Sequence, residues 1–269
     1  MSAEAVDPSV GSVELTRTGA VAVLTLSRPQ AHNALTWTMY DQLDAHLTAL
    51  ADDESVRVVV LRGAGGRAFA AGTDINQFRD FGGEDGIRYE ERIDAVVGKL
   101  VRLAKPTLAA IEGYAVGGGF GLAAACDLRY ANTRAKLGVP VAKTLGNCLS
   151  LNNYRRLAAL LGEMKLKELL YTGRLMDAEE GLRAGFLTAV FPDETFWPRV
   201  EEVANEIAAN APLTLWATKT ALIRLDEAAA AAARTVPFDD VIRRVYGSED
   251  FHQAVLARQS KTAPVWRGR

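Results

Sequence analysis

The chain has 269 residues, of which 49% are hydrophobic, so it can bury a large core in one domain with an additional helical piece. Its formal net charge of −2 gives no overall electrostatic case for binding nucleic acid or a membrane surface, and we expect neither as a partner. No stretch of the sequence approaches the roughly 20 apolar residues that a transmembrane helix needs.

Residues 1–12 are mostly small, polar or acidic. They lack the apolar run of a secretory signal and the Arg-rich amphipathic character of a transit peptide. The two cysteines are too few for a disulfide framework, so we expect them to be reduced thiols. These features predict a cytoplasmic protein.

Strands and helices alternate along the next part of the chain. The alternating residues 12–17, followed by the apolar residues 20–26 after a Thr-Gly turn, predict a β-hairpin, and a helix is predicted to follow from Thr36. Residues 56–61 and 106–111 are short apolar strands, and each leads into a Gly-centred turn and then a helix. This order predicts an α/β fold whose loops gather at one edge.

The two Gly-centred turns are the most informative segments. Residues 111–122 read IEGYAVGGGFGL and residues 68–75 read AFAAGTDI. Backbone N–H groups exposed at a helix start bind an anion, and glycines let a ligand approach the backbone closely. Two such donors that converge on one carbonyl oxygen form an oxyanion hole.

Four motifs, in this order and spacing, resemble the crotonase superfamily of enoyl-CoA hydratases, isomerases and their relatives. They are residues 27–35 (SRPQAHNAL), 68–75, 111–122 and 126–131 (CDLRYA). The similarity continues through residues 171–187 and ends near residues 248–255, so it spans nearly the whole chain.

The resemblance implies a fold, an assembly and a binding site. The fold is a repeated ββα spiral over residues 1–193, with the acyl-CoA site, followed by a C-terminal helical region over residues 194–269. In relatives this second region mediates trimer contacts, so a homotrimer or a dimer of trimers is expected. The backbone N–H groups of Thr73 and Gly118 are expected to hold the thioester carbonyl oxygen of an acyl-CoA and to stabilise an enolate.

The chain departs from the hydratase pattern at both catalytic positions. Family hydratases use two glutamates, because syn addition of water needs a positioned base and acid. The first position falls at Gly121 and the second at Val141, or at Ala142 if the alignment is shifted by one. None of these side chains can transfer a proton, so hydration by paired glutamates is not supported.

Ser150, Cys148 and Glu91 are the candidates for replacing the missing groups. Ser150 falls about where dehalogenase-like relatives place an aspartate nucleophile, but no histidine close in sequence would activate it or Cys148. A helix cap for Ser150 and a small buried residue for Cys148 are the alternative roles. Glu91 lies on the helix that borders the acyl pocket in relatives, and it would act only if it pointed inward instead of into solvent.

Residues that contact coenzyme A are inferred from the resemblance alone. The backbone around Ala31 and His32, together with Ala71, is expected to line the path of the adenosine and pantetheine groups. Lys219 and Lys261 are candidates for reaching the phosphates. The CoA thioester is the substrate, and we expect no prosthetic group and no metal.

The sequence therefore predicts an enzyme that acts on an acyl-CoA thioester. Isomerisation, decarboxylation, hydrolysis or C–C cleavage fits better than hydration, because these reactions can depend mainly on the oxyanion hole. The alternative is a catalytically silent acyl-CoA-binding protein, since such a protein would also keep the oxyanion hole and lack both carboxylates. A structural or RNA-associated protein would need a basic face that the composition does not reveal.

Overall fold

The structure, a computed structural model, describes residues 10–233 and 235–269. Ten strands in these ranges span Ser12–Thr18 (β1), Val21–Ser27 (β2), Val58–Gly63 (β3), Ala68–Ala70 (β4), Thr107–Ile111 (β5), Tyr114–Val116 (β6), Leu128–Asn132 (β7), Lys136–Gly138 (β8), Met176–Asp177 (β9) and Ala189–Phe191 (β10). Eleven helices in the same ranges span Trp37–Asp52 (α1), Gly83–Arg102 (α2), Gly118–Ala125 (α3), Val141–Thr144 (α4), Leu151–Leu161 (α5), Glu163–Thr172 (α6), Ala178–Arg183 (α7), Phe196–Ala209 (α8), Pro212–Ala233 (α9), Asp239–Tyr246 (α10) and Glu249–Gln259 (α11).

The strands form two sheets. The larger sheet has the order β1-β2-β3-β5-β7-β10, and the smaller one has the order β4-β6-β8-β9. Neighbours are parallel except for β1 with β2 and β8 with β9. The consecutive pairs β3/β4, β5/β6 and β7/β8 each place one strand in either sheet, and a helix follows each pair. This is the repeated ββα spiral that the resemblance implies.

The opening hairpin and the first helix form where the sequence predicts them. β1 and β2 pair from Ser12 with Ser27 to Thr18 with Val21, and Gly19 adopts a φ of +58° in the turn. The hydroxyl of Thr36 accepts a hydrogen bond from the N–H of Met39 and so caps the N-terminus of α1. Both predictions are confirmed.

Two hydrophobic cores lie on opposite faces of the larger sheet, because successive side chains of a strand point to opposite faces. In β3, Val59 and Leu61 join the core that contains residues of α1, α2 and α3, whereas Val58 and Val60 join the core beneath α8. The buried residues of α8 recur every four positions, as a helix that covers a sheet requires. They are Phe196, Val200, Ala204 and Ala208.

The C-terminal helix α10 packs against α2 at two glycines. A Cβ on Gly86 would stand 2.3 Å from the ring of Tyr246, and one on Gly83 would stand 2.6 Å from the carbonyl oxygen of Arg243. Residues 194–269 are largely helical, as predicted, whereas their separation from residues 1–193 as a domain and their trimer contacts stay predictions. Across residues 10–233 and 235–269, we find no helix long and apolar enough to cross a membrane.

Two glycines of α3 test the close packing of the spiral. A Cβ on Gly119 would stand 2.1 Å from the carbonyl oxygen of Ala70, whereas one on Gly121 would meet no heavy atom closer than 3.9 Å. Alanine raises helix propensity at both sites by about 0.5–1 kcal/mol. We expect Gly119→Ala to lower the free energy of unfolding by about 1–3 kcal/mol through overpacking, and Gly121→Ala to leave it unchanged or raise it. Urea denaturation measures both values, and equal stabilities would contradict this packing.

Candidate active site

Two loops bring the backbone N–H groups of Thr73 and Gly118 together. Thr73 follows β4 through Gly72, which has a φ of +91°, and Gly118 is the first residue of α3. A Cβ built on Gly118 would stand 3.7 Å from the nitrogen of Thr73, and one built on Gly72 would stand 3.8 Å from the nitrogen of Gly118. Within the described residues, neither N–H donates to a carbonyl of a turn or loop. Both donors are therefore free to bind one oxygen atom.

The loop that carries Thr73 is anchored to residues 28–35. The N–H of Leu35 donates to the carbonyl of Gly72 over 2.8 Å, and the N–H of Asp74 donates to the carbonyl of Leu35 over 2.9 Å. Arg28 forms an ion pair of 2.9 Å with Asp74, whose carboxylate also accepts from the N–H of Asn76. Asp74 thus fixes the loop geometry.

Two tyrosines hold the side chain of Thr73. Its hydroxyl lies 2.9 Å from the hydroxyl of Tyr40 and 2.8 Å from that of Tyr89. Burial raises the pKa of both tyrosines, so both keep their protons at neutral pH. Tyr89 also packs edge-on against the rings of Trp37 and Phe78. The N–H of Thr73 is therefore held by a rigid, mostly aromatic wall.

A cavity of about 440 Å³ opens in front of these two donors. Its lining includes Thr73 and Gly118, and also His32 and Ala71, two exposed residues that were predicted to border the CoA path. Most of the other lining side chains are apolar; they include Phe78, Ile93, Val97, Val116, Val139, Leu145 and Leu157. Gly121 and Val141, where hydratases carry glutamates, also line it. Ala31 lies in the adjacent turn and is not part of the lining.

Glu90 is the buried carboxyl group of this cavity. Its side chain is only 4% exposed, and its two oxygens accept from the hydroxyl of Tyr246 over 2.6 Å and from the N–H of Ser150 over 2.8 Å. Burial, together with the nearby Asp94 carboxylate, raises the pKa of Glu90 to about 8, although the hydrogen bond from Tyr246 acts in the opposite direction. Glu90 is therefore mostly protonated at pH 7 and is placed to donate or accept one proton.

The inward orientation considered for Glu91 is wrong, because Glu91 is exposed and does not line the cavity. A turn of about 100° per residue carries Glu91 away from the buried stripe of α2, whereas Glu90 lies on that stripe with Gly86, Ile93 and Val97. This apolar spacing was the sequence signal that could have identified Glu90.

Ser150 and Cys148 lie outside the cavity lining. The hydroxyl of Ser150 donates to Asp94 over 2.7 Å and accepts from the N–H of Asn153, so it caps α5. Burial raises the pKa of the Cys148 thiol to about 12, which leaves no thiolate at neutral pH. Both residues have the structural roles that the sequence offered as alternatives.

Neither predicted lysine lines the cavity. Lys219 is buried, and its amine donates to Asp127 over 2.7 Å and to the carbonyl of Lys105 over 2.8 Å, beside a separate cavity of about 550 Å³. Within this chain it is therefore not free to bind a phosphate, which corrects that assignment. Lys261 is exposed beyond α11, whereas Arg258, on the last turn of α11, does line the cavity. Sequence reasoning missed Arg258 because only the packing of α11 brings it there.

The raised pKa of Glu90 predicts a pH dependence of stability. Between the ordinary value of 4.5 and about 8, the folded chain keeps a proton on Glu90 that the unfolded chain has lost. The free energy of unfolding should therefore fall with rising pH by on the order of 1 kcal/mol per unit across this window, relative to Glu90→Gln. Urea denaturation of both proteins at several pH values measures the difference. Parallel curves would contradict a protonated Glu90.

Comparison with known proteins gives consistent results. A sequence model of the family described as enoyl-CoA hydratase/isomerase matches residues 16–269. The chain is 34% identical over 215 residues to the short-chain-enoyl-CoA hydratase of Clostridium acetobutylicum, which covers 80% of this chain and 82% of that protein. It is 32% identical over 261 residues to the carnitinyl-CoA dehydratase of Escherichia coli K12, covering 96% and 99% of the two chains. A solved structure of methylmalonyl-CoA decarboxylase in complex with 2-nitronate-propionyl-CoA aligns with a TM-score of 0.85 and 27% identity, over 96% of this chain and 98% of that one.

Proposed function

Because the chain belongs to the enoyl-CoA hydratase/isomerase family, within the crotonase superfamily, we propose that it transforms an acyl-CoA thioester through an enolate. The observation that carries this proposal is the pair of N–H groups of Thr73 and Gly118 in one cavity with the buried carboxyl of Glu90. The two donors stabilise the negative charge that grows on the thioester oxygen, and Glu90 moves one proton at the acyl carbon.

The lining of the cavity favours a reaction with one proton-transfer group. Hydration through two glutamates would need carboxylates at Gly121 and Val141, and neither side chain can carry a proton. Loss of CO2 from the acyl group needs only one proton donor, and a double-bond shift can use one group twice. Decarboxylation and isomerisation are therefore the favoured reactions, ahead of hydrolysis and C–C cleavage.

Mass spectrometry of CoA thioesters incubated with the protein in D2O tests this proposal. The panel contains saturated, 2-enoyl, 3-enoyl and carboxyacyl thioesters, and both the mass and the deuterium content of each are followed. We expect deuterium at the α-carbon of a product, accompanied by loss of CO2 or by a shifted double bond. A thioester that binds and protects the protein from thermal unfolding but stays unchanged across the whole panel would instead support the silent acyl-CoA-binding protein.

The assembly is part of the same proposal. A homotrimer or a dimer of trimers is expected from the family resemblance, and multi-angle light scattering of the purified protein measures the mass of the assembly. A mass equal to that of one chain would overturn this expectation.

A further inference from the structure

The space beside Gly121 is open and ends at Asn153. A Cβ built on Gly121 would have the Oδ1 atom of Asn153, at 3.9 Å, as its nearest heavy-atom neighbour, and both residues line the cavity. A glutamate at position 121, as in the hydratase pattern, would extend a carboxylate into this region. Glycine leaves the same volume free for a group that belongs to the substrate.

The amide of Asn153 has a fixed orientation. Its side chain is 7% exposed, and its Oδ1 accepts a hydrogen bond of 3.1 Å from the guanidinium of Arg156. Because a guanidinium only donates, the Nδ2 donors of Asn153 face away from Arg156. Within the described residues Nδ2 has no hydrogen-bond partner, and it is not among the fully buried unpartnered atoms, so it borders free space. The cavity that Asn153 lines is that space.

The charges around Asn153 favour an anion. Burial lowers the pKa of Arg156, and this guanidinium forms no ion pair with any residue that the structure describes, because Asp226 is paired with Arg155 and Asp94 accepts from Ser150 and Asn152. Asn153 itself lies in the first turn of α5, where the helix dipole also attracts negative charge.

Glu90 does not oppose an anion at this place. Its carboxyl group meets the same first turn of α5 through the N–H of Ser150. Since burial raises its pKa to about 8, it is mostly uncharged at pH 7 and repels a substrate carboxylate little. The Asp94 carboxylate, which also lies near this helix start, is occupied by the hydrogen bonds from Ser150 and Asn152.

We propose that Asn153, supported by Arg156, binds a carboxylate of the acyl group in the space beside Gly121, so that the substrate is the CoA monothioester of a dicarboxylic acid. This inference rests on the proposed function and narrows it to decarboxylation. The bond between the α-carbon and the carboxylate breaks, and its electron pair forms the enolate whose oxygen is held by Thr73 and Gly118. CO2 leaves, Glu90 gives its proton to the α-carbon, and Glu90 regains a proton from water.

Equilibrium binding of two unreactive thioethers tests the site independently of turnover. The probes are 2-carboxypropyl-CoA and isobutyl-CoA, which differ by a carboxylate in place of a methyl group and lack the thioester carbonyl. At pH 7 we expect the wild-type protein to bind the carboxylated probe more tightly by about tenfold or more, as a hydrogen bond to a charged group allows. Asn153→Leu should abolish this preference.

Two further variants complete the experiment. Asn153→Asp keeps a partner for Arg156 and should stay folded, but it replaces the donor with a negative charge, so it should also lose the preference. Asn152→Leu is the matched control, because Asn152 is the adjacent amide, donates to Asp94 and does not line the cavity. It should keep the preference.

The outcomes separate this inference from the proposed function. Equal binding of the two probes by the wild-type protein, or a preference that survives in both Asn153 variants, would overturn the carboxylate site. If the preference is present but no thioester is turned over in D2O, the carboxylate site stands and the catalytic proposal fails. If an enoyl thioester is isomerised while the probes bind equally, the catalytic proposal stands and the carboxylate site fails.

Discussion

Replacement of Glu90 by glutamine should lower the turnover number by about two to four orders of magnitude, because the amide cannot transfer the proton that a general acid or base supplies. The fold should persist, since glutamine keeps the size of the side chain and can still accept from Tyr246 and Ser150. Steady-state kinetics with the thioester identified in D2O measures the effect as kcat.

Glu91→Gln is the matched control for this prediction. Glu91 loses the same charge on the same helix, but it is exposed and lies outside the cavity lining. We expect its kcat to stay within about twofold of the wild-type value, as is usual for an exposed residue that contacts no reacting group. Equal activities of the two variants would show that Glu90 is not the proton-transfer group.

The pH dependence of the rate separates proton transfer from a structural role for Glu90. If Glu90 acts as the acid, wild-type kcat should fall as pH rises above about 8, where the carboxyl ionises. Tyr246→Phe removes the hydrogen bond that lowers this pKa, so the fall should move to higher pH. An unchanged high-pH limb in Tyr246→Phe would contradict the assignment of that limb to Glu90.

Gly118→Pro should lower kcat by about two to three orders of magnitude, because proline removes one of the two N–H donors to the thioester oxygen. Proline is tolerated in the first turn of a helix, and Gly118 is the first residue of α3. Kinetics with the same thioester, together with circular dichroism, measure activity and folding in parallel.

Gly118→Ala separates loss of the donor from the added bulk. A Cβ at this position would stand 3.1 Å from the hydroxyl of Tyr40 and 3.4 Å from that of Thr73, and both substitutions introduce it. Alanine keeps its N–H, so its kcat should exceed that of Gly118→Pro by at least about tenfold if the donor stabilises the enolate. A folded Gly118→Pro protein with wild-type activity would sink the oxyanion hole assigned to Thr73 and Gly118.

The sequence by itself determined the elements and the frame of the site. The hairpin, the start of α1, the strands β3 and β5 and the glycine turns depend on local alternation, caps and glycines, which act over a few residues. The two turns that carry Thr73 and Gly118 follow parallel strands of the spiral, so their convergence also followed from the motif order.

Only the tertiary structure decided which polar side chains enter the cavity. Glu90 differs from Glu91 by the phase of one helix, and its raised pKa depends on α10, which brings Tyr246 from 156 residues away, and on the start of α5. Lys219 is bound to Asp127 across 92 residues, and α11 brings Arg258 to the cavity. Burial and electrostatic partners arise from contacts between segments distant in sequence, so local pattern identifies the oxyanion loops but not the acid beside them.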